Sequence, residues 1–267
     1  MYIGSGKALI STVWGGMLIV PSQDLSVAPG LIINGIHEPQ LTNYLGKTIK
    51  PGFTCVDVGA NIGYFTVLMG HLVGPKGKVT AYEPDPVNHS FLLDNLSINC
   101  LRDRVTPLEC AVYSSSDEIA FYLSTRFRGH ASIHRHGKEY FHHYTDEITQ
   151  VEVPAERLDS RFRAGDHIDL IKLDIEGGEY HALLGASDLI ENWSVETWVF
   201  EVNPMMLSGD RLSFHDLLAE ISRSHDAGFF TLAPDGEAIP TELDEVFAED
   251  GNPSVVMRRR CSSDHLT

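Results

Sequence analysis

Val56-Asp57-Val58-Gly59-Ala60-Asn61-Ile62-Gly63-Tyr64-Phe65 runs from an apolar strand through a glycine-bearing turn into the start of a helix. Gly59 and Gly63 let a ligand approach the backbone, and the helix start adds the positive end of its dipole. The spacing is not the G-x-G-x-x-G of dinucleotide-binding turns. Asn61 stands where that pattern differs, and Asp57 places an acid before the turn. Such a turn suits a cationic or hydroxyl-rich group better than a pyrophosphate. Taken alone, it is also what an ordinary strand-to-helix turn looks like. The next informative stretch is Ala81-Tyr82-Glu83-Pro84-Asp85, in which Glu83 closes a second strand 20 residues after Gly63. A carboxylate there can accept hydrogen bonds from both hydroxyls of a ribose. The two stretches together predict a nucleoside site.

Outward from this pair, strands and helices alternate. Residues 54–58, 78–82 and 105–112 read as strands, with helices at 62–73 and 87–99 between them. Farther on, 169–173 and 197–202 read as strands, 178–184 and 212–225 as helices, and 229–232 and 254–258 as two closing strands. This predicts an α/β fold, a doubly wound and mostly parallel seven-stranded sheet ending in an antiparallel hairpin. Residues 1–50 read as an extension packed on the core, with short strands at 17–20 and 31–33 and a helix at 40–49 stopped by Pro51-Gly52. The main domain spans 51–260. Within it, 113–155 breaks the rhythm as a polar, His- and Arg-rich insertion on the substrate side, and 261–267 reads as a polar tail.

The apolar fraction of 43% is enough for one large core. Lys and Arg total 20 against 37 Asp and Glu, a formal charge of −17. A nucleic-acid partner needs a positive footprint, so none is expected. Residues 8–20 are apolar, but only Lys7 precedes them and Gly15-Gly16 interrupts them, so strands are favoured over a secretory leader. No apolar run reaches the roughly 18 residues of a membrane span. Cysteines 55, 100, 110 and 261 form no C-x-x-C pair and are too sparse for a disulfide framework, so a cytoplasmic location is expected. Strands near the termini offer a route to a homo-oligomer.

Asp57-Val-Gly-Ala-Asn-Ile-Gly-Tyr-Phe, Tyr82-Glu83-Pro84 and Ile171-Lys-Leu-Asp-Ile-Glu-Gly-Gly-Glu179, with Asn95 and Asn99 before the third strand, resemble the FkbM-type methyltransferases. The resemblance covers roughly residues 35–235. It implies the Rossmann-like class I methyltransferase fold and S-adenosylmethionine as cofactor, leaving as S-adenosylhomocysteine. It also implies methylation of a hydroxyl on a small metabolite, in the sugar or polyketide natural-product class. Carried onto this chain, Asp57 and the backbone of Gly59, Asn61 and Gly63 would hold the methionine portion. Glu83 would bind the ribose, and Pro84 and Asp85 would flank the adenine. Glu109, Cys110 and Ala111 would border the adenine edge, and Glu38, in Gly35-Ile-His37-Glu38-Pro39, would cap the pocket. Asp174 ends the fourth strand, where its side chain would face the transfer cleft.

Removing the acceptor's proton calls for a base or a metal. Three readings of the acids compete. Asp174 or Glu176 is a general base; Asp174, Glu201 and Asn203 bind a divalent cation such as Mg2+; or these acids only orient cofactor and loops. His130 is a separate candidate base, because imidazole titrates near neutral pH. His130, His134, His136, His142 and His143 crowd the insertion without a second cluster at zinc-site spacing, so a solvated pocket-shaping segment is favoured over a metal centre. Gly129-His-Ala-Ser132 looks like the family's Gly-x-x-Ser element, which makes His130 and Ser132, together with Glu201, the expected substrate-side residues. Lys172 reads as a strand residue and Glu179 as a helix-start charge. No Asn-Pro-Pro-Tyr or Asp-Pro-Pro-Tyr follows the fourth strand, which speaks against methylation of a nucleic-acid base. The alternatives are N-methylation of a small amine or peptide, a nucleoside-binding scaffold without chemistry, and a nicotinamide oxidoreductase, which the glycine spacing disfavours.

Overall fold

The computed structural model describes residues 1–163, 165–203, 206–248 and 252–260; the expected tail at 261–267, with Cys261, lies outside them. In chain order the elements are β1 (Tyr2–Gly4), β2 (Lys7–Ser11), β3 (Met17–Pro21), α1 (Ala28–Asn34), α2 (Pro39–Thr48), β4 (Thr54–Val58), α3 (Tyr64–Leu72), β5 (Lys78–Tyr82), α4 (Pro86–Ile98), β6 (Val105–Leu108), β7 (Ala111–Val112) and β8 (Glu118–Ser124). There follow α5 (Lys138–His143), β9 (Ile148–Glu156), α6 (Leu158–Arg161), β10 (Ile168–Leu173), α7 (Glu179–Leu184), α8 (Ser187–Glu191), β11 (Val195–Glu201), α9 (Arg211–His225), β12 (Ala227–Leu232), β13 (Ala238–Thr241), α10 (Leu243–Ala248) and β14 (Ser254–Arg259). No helix of the described residues is long and apolar enough to cross a membrane.

The main sheet has the order β13-β12-β14-β11-β10-β4-β5-β6. Strands β6, β5, β4, β10 and β11 are parallel, and β14 runs antiparallel between β11 and β12. This is the Rossmann-like methyltransferase order, with the reversed β14 third from the edge, inside β12 and β13. Successive residues of a strand face opposite sides. Cys55, Leu170 and Val199 therefore pack with Phe65, Leu92, Leu18 and Leu45 on one face. Val56, Ile171, Trp198 and Phe200 pack with Leu183, Phe214 and Leu218 on the other.

Four details differ from the sequence reading. The sheet has eight strands rather than seven, because β13 adds an outer edge; its Pro240 marks an edge position, where a missing N–H is tolerated. The expected closing hairpin is not a direct one. The hairpin partner of β12 is β13, while β14 returns later and inserts between β12 and β11. Residues 31–33 are helical, with Pro29 in the first turn and Gly35 closing the helix at φ +65°. A short apolar run does not by itself separate strand from buried helix. The strand expected at 105–112 divides, so that β6 ends the main sheet and β7 joins β9 and β8 in a separate three-stranded sheet.

The first three strands form a meander whose outer edge is closed by helix α4. Asn95 Oδ1 accepts from Ile19 N at 2.6 Å while its Nδ2 donates to Ile19 O and Ile62 O. One helical turn on, Asn99 makes the same pair of bonds with Met17. Two asparagines thus imitate a neighbouring strand and also tie down the glycine turn at Ile62. Unsatisfied buried backbone groups cost about 1–3 kcal/mol each. Asn95→Ala should therefore destabilise the protein by about 2–4 kcal/mol in urea unfolding, and a loss under about 0.5 kcal/mol would show that the clasp is dispensable.

Candidate active site

The carboxyl ends of β4, β5, β10 and β11 open into a cleft of about 240 Å3, closed on one side by the 113–155 insertion and on another by the chain before α2. Among the sequence-predicted residues, Glu38, Gly59, Asn61, Glu83, Pro84, Cys110, Ala111, His130, Asp174, Glu176 and Glu201 line it. Gly59 permits the floor to close. At φ +79°, a Cβ there would sit 1.8 Å from the Asp174 carbonyl oxygen. The glycine turn and the end of β10 can meet only without a side chain.

At one end of the cleft, Glu83 Oε2 accepts from Asn61 N at 2.7 Å and Oε1 accepts from Asp85 N at 2.8 Å. One carboxylate therefore joins the loops after β4 and β5. Asn61 holds the left-handed backbone this requires, at φ +52°. Burial pushes the Glu83 carboxyl up to about 8, partly opposed by these two backbone N–H groups. Nearby, Asn88 Oδ1 is buried without a hydrogen-bond partner on the same wall.

Asp57 is a correction to the sequence reading. Its side chain is fully buried below the cleft rather than in its wall. It accepts from Thr66 Oγ1 at 2.5 Å and from Lys172 Nζ at 3.2 Å. Lys172, also buried, lies 3.2 Å from Asp174 Oδ2 on its other side, above the Phe65 ring. Burial alone would lower the Lys172 pKa, but the carboxylates of Asp174, Asp57 and Glu38 outweigh it and raise it. Asp85 and Gly63 also stand behind the wall. Asp85 caps α4 through Val87 N and pairs with Arg128 at 3.0 Å. Gly63 starts α3 at φ +92°, against Leu92. Glu109 is outside the cleft, 3.6 Å from His89.

At the other end, carboxylate oxygens of Asp174, Glu176 and Glu201 gather within 4.8 Å of one another. Burial, then the neighbouring carboxylate of Asp174, pushes Glu201 up to about 11, and the same causes hold Glu176 well above the carboxylate range. Burial likewise raises Glu179 to about 7; its Oε1 accepts from Ile175 N, and its Oε2 is buried without a partner. Asn203, expected as a third ligand, lies beside the cluster. Its Nδ2 donates to Glu176 Oε2 at 3.5 Å and its Oδ1 accepts from Met206 N, and Glu176 joins Asp174 and Glu201 in the oxygen cluster.

Ser132 is a second correction. Its hydroxyl donates to Glu176 O at 2.7 Å and accepts from His134 N, which clasps the insertion to the loop after β10 and leaves the residue outside the cleft wall. His134 continues that clasp through Gly177 O and Asp210, which also pairs with His181. His130 does line the cleft. Sequence reading missed Arg128, Asn88 and Ser26 in the wall. Arg128, one residue before the recognised Gly-x-x-Ser element, was within reach of that signal. Ser26 was not, because its place depends on Asp24, which accepts from Ser26, Val27, Ala28 and Arg128 backbone N–H groups.

The raised acids have a stability consequence. The folded protein keeps protons on Glu83, Glu179 and Glu201 that the unfolded chain, with ordinary glutamates near 4.5, releases. Their contribution is present below that pH and is lost as pH rises, through about 7 for Glu179, 8 for Glu83 and 11 for Glu201. Thermal unfolding of the cofactor-free protein between about pH 5 and 9 should decline less steeply for Glu201→Gln than for the wild type. Equal slopes would show that Glu201 ionises freely.

The methyltransferase FkbM domain matches residues 57–230. Two fungal relatives are similar: methyltransferase sdnD of Sordaria araneosa, 29% identical over 54% of this chain and 65% of its own length, and methyltransferase 1 of Beauveria bassiana, 25% identical over 52% and 60%. The chain thus spans less than two thirds of either relative. Among solved structures, M. jannaschii TYW2 in complex with AdoMet superposes with a TM-score of 0.45 at 14% identity, covering 97% of this chain and 90% of that one. An rRNA methylase from Streptococcus thermophilus gives 0.44 at 13%, covering 84% and 99%. Neither superposition is close enough to carry residues or substrates across. The match over 57–230 includes the glycine turn, Glu83 and the β10 motif, and by it the chain belongs to the FkbM methyltransferase domain family.

Proposed function

We propose that this protein is an S-adenosylmethionine-dependent O-methyltransferase that methylates a hydroxyl of a small metabolite in the sugar or polyketide class. The observation that carries the reading is the single cleft that joins Glu83 and the Asn61 turn at one end to the acids of β10 and β11 at the other. The residues fit the cofactor. Glu83 offers oxygens already oriented by two backbone N–H groups, and the orphaned Asn88 Oδ1 suits a donor on the adenine. Gly59 keeps the floor free of a Cβ. Asp174 and Glu38, whose charges already act on Lys172, supply negative potential for the cationic sulfonium and ammonium groups. When bound, S-adenosylmethionine supplies an electrophilic methyl group and leaves as a neutral thioether. The chain's own part is to hold the acceptor oxygen in line with that methyl, exclude water and receive a proton. The charge of −17 and the acid-lined cleft support a small acceptor over a nucleic acid.

A second reading rests on the oxygen cluster of Asp174, Glu176 and Glu201, which has the ligand chemistry of a Mg2+ site. The two readings separate simply. With the acids serving the cofactor's charge, methyl transfer is unaffected by excess chelator. Loss restored by magnesium would assign the cluster to a metal instead.

Incubation with S-adenosylmethionine and a panel of hydroxylated sugars, polyketides and small amines tests the function itself. The expected product carries one added methyl as an O–CH3 ether by NMR. Methylation at nitrogen would replace this reading, and cofactor binding without turnover of any acceptor would favour a scaffold. Glu83→Ala should weaken S-adenosylhomocysteine binding by about 1–3 kcal/mol in calorimetry; unchanged affinity would remove the ribose assignment.

A further inference from the structure

Three side chains of the insertion form a chain of contacts that ends at the cleft. Asp146 accepts from Ser124 Oγ, from Arg126 N at 3.0 Å and from Glu147 N at 2.9 Å. These donors hold its carboxyl below the usual range against the opposing effect of burial, so it is an ionised group that only accepts. Tyr140 Oη donates its one proton to Asp146 Oδ2 at 2.7 Å. The same oxygen lies 3.3 Å from His130 Nδ1. With the phenol proton committed to Asp146, Tyr140 can only accept from His130, so Nδ1 carries the imidazole proton. Nε2 then holds a lone pair. No hydrogen bond to it is formed among the described residues, and His130 lines the cleft.

We propose that His130 is the base that takes the acceptor's proton, and that Tyr140 and Asp146 position it by fixing its tautomer. This rests on the O-methyltransferase reading. In the step, the acceptor's O–H bond breaks and the proton passes to Nε2. The oxygen forms its bond to the methyl carbon as the carbon–sulfur bond breaks, and that electron pair stays on sulfur. The imidazolium then releases the proton to water.

The surroundings favour this nitrogen over the nearby acids. Glu176 and Glu201 are pushed toward the protonated form by burial and then by the Asp174 carboxylate, and Asp174 is held by Lys172. His130 is kept neutral by burial and by His136, against the opposing charges of Asp146 and Asp24. The groups facing it are His136, Tyr140, Tyr144, Asp146 and Asp24, with Phe127 stacked at 5.5 Å. The ring is also fixed from behind, since His136 Nε2 bonds the His130 carbonyl at 2.8 Å and packs on Tyr140.

The test reads the tautomer directly, in long-range 1H–15N spectra of protein labelled with 15N-histidine at about pH 8, above the ordinary imidazole range. The His130 signal is assigned by its absence from His130→Asn. The wild type should show the proton on Nδ1. Tyr140→Phe keeps the packed ring but removes the acceptor oxygen, and should move the proton toward Nε2 while S-adenosylhomocysteine binding is unchanged. A proton on Nε2 in the wild type overturns the proposal whether or not an acceptor is known. With a methyl-ether product in hand, His130→Asn should lower kcat by about 10²–10⁴-fold and abolish the acid limb of the pH profile, with little change in cofactor affinity. A kcat within about threefold of wild type, a factor of under 1 kcal/mol, also overturns it. Nitrogen methylation by a protein with the Nδ1 proton would sink the O-methyl reading and leave the tautomer assignment intact.

Discussion

One buried ammonium organises the floor of the cleft. Lys172 sits opposite Asp57 in the register of β10 and β4, 3.2 Å from Asp57 on one side and from Asp174 on the other. Removing one member of such a buried group typically costs about 3–5 kcal/mol, because the partners are left charged and unpaired. Two neighbouring strand ends are thereby held together just below the point where Gly59 touches the Asp174 carbonyl. The glycine turn, the strand-end acid and the cleft they border all depend on that charge remaining where it is.

Above this floor the balance reverses, and acids outnumber cations. Glu38, Asp174, Glu176, Glu179 and Glu201 act on one another electrostatically, with Lys172 as their opposing charge. Desolvated like charges weaken a folded protein, and perturbed acids of this kind collect at functional sites. On the proposed reading, a cationic cofactor relieves this strain, which couples binding to stability. The insertion closes over this region through bonds that converge on it. Ser132 reaches Glu176 O, His134 reaches Gly177 O and Asp210, and Arg128 reaches Asp85. Its irregular sequence is thus tied to the scaffold at points far apart in the chain.

The fold was largely legible in the sequence because its central strands are buried on both faces. Such strands are rich in apolar residues on both faces, as in β4 and β10, interrupted there mainly by the paired Asp57 and Lys172, and the glycine turn follows β4 directly. The edges were less legible. β13 carries Pro240 and no alternation to speak of, and the apolar triplet at 31–33 fits helix and strand alike. In the site, Gly59, Asn61 and Glu83, at the strand ends that the motifs mark, line the cleft. Asp57 does not, since its partner Lys172 lies 115 residues away and turns the side chain into the core. Ser132 was recognisable as a motif residue, but its hydroxyl is taken up by a carbonyl 44 residues on. Contacts across such separations leave no periodic trace; the Asp146–Tyr140–His130 chain is local, with steps of 6 and 10 residues, but lies in an irregular segment whose sequence carries no period to read.

The central claim is that this cleft binds an S-adenosyl nucleoside. Isothermal titration of the purified protein with S-adenosylhomocysteine tests it most directly. The account predicts one site per chain with affinity on the order of micromolar, about −8 kcal/mol, displaced competitively by S-adenosylmethionine. A cooperatively folded protein that binds neither compound would contradict it.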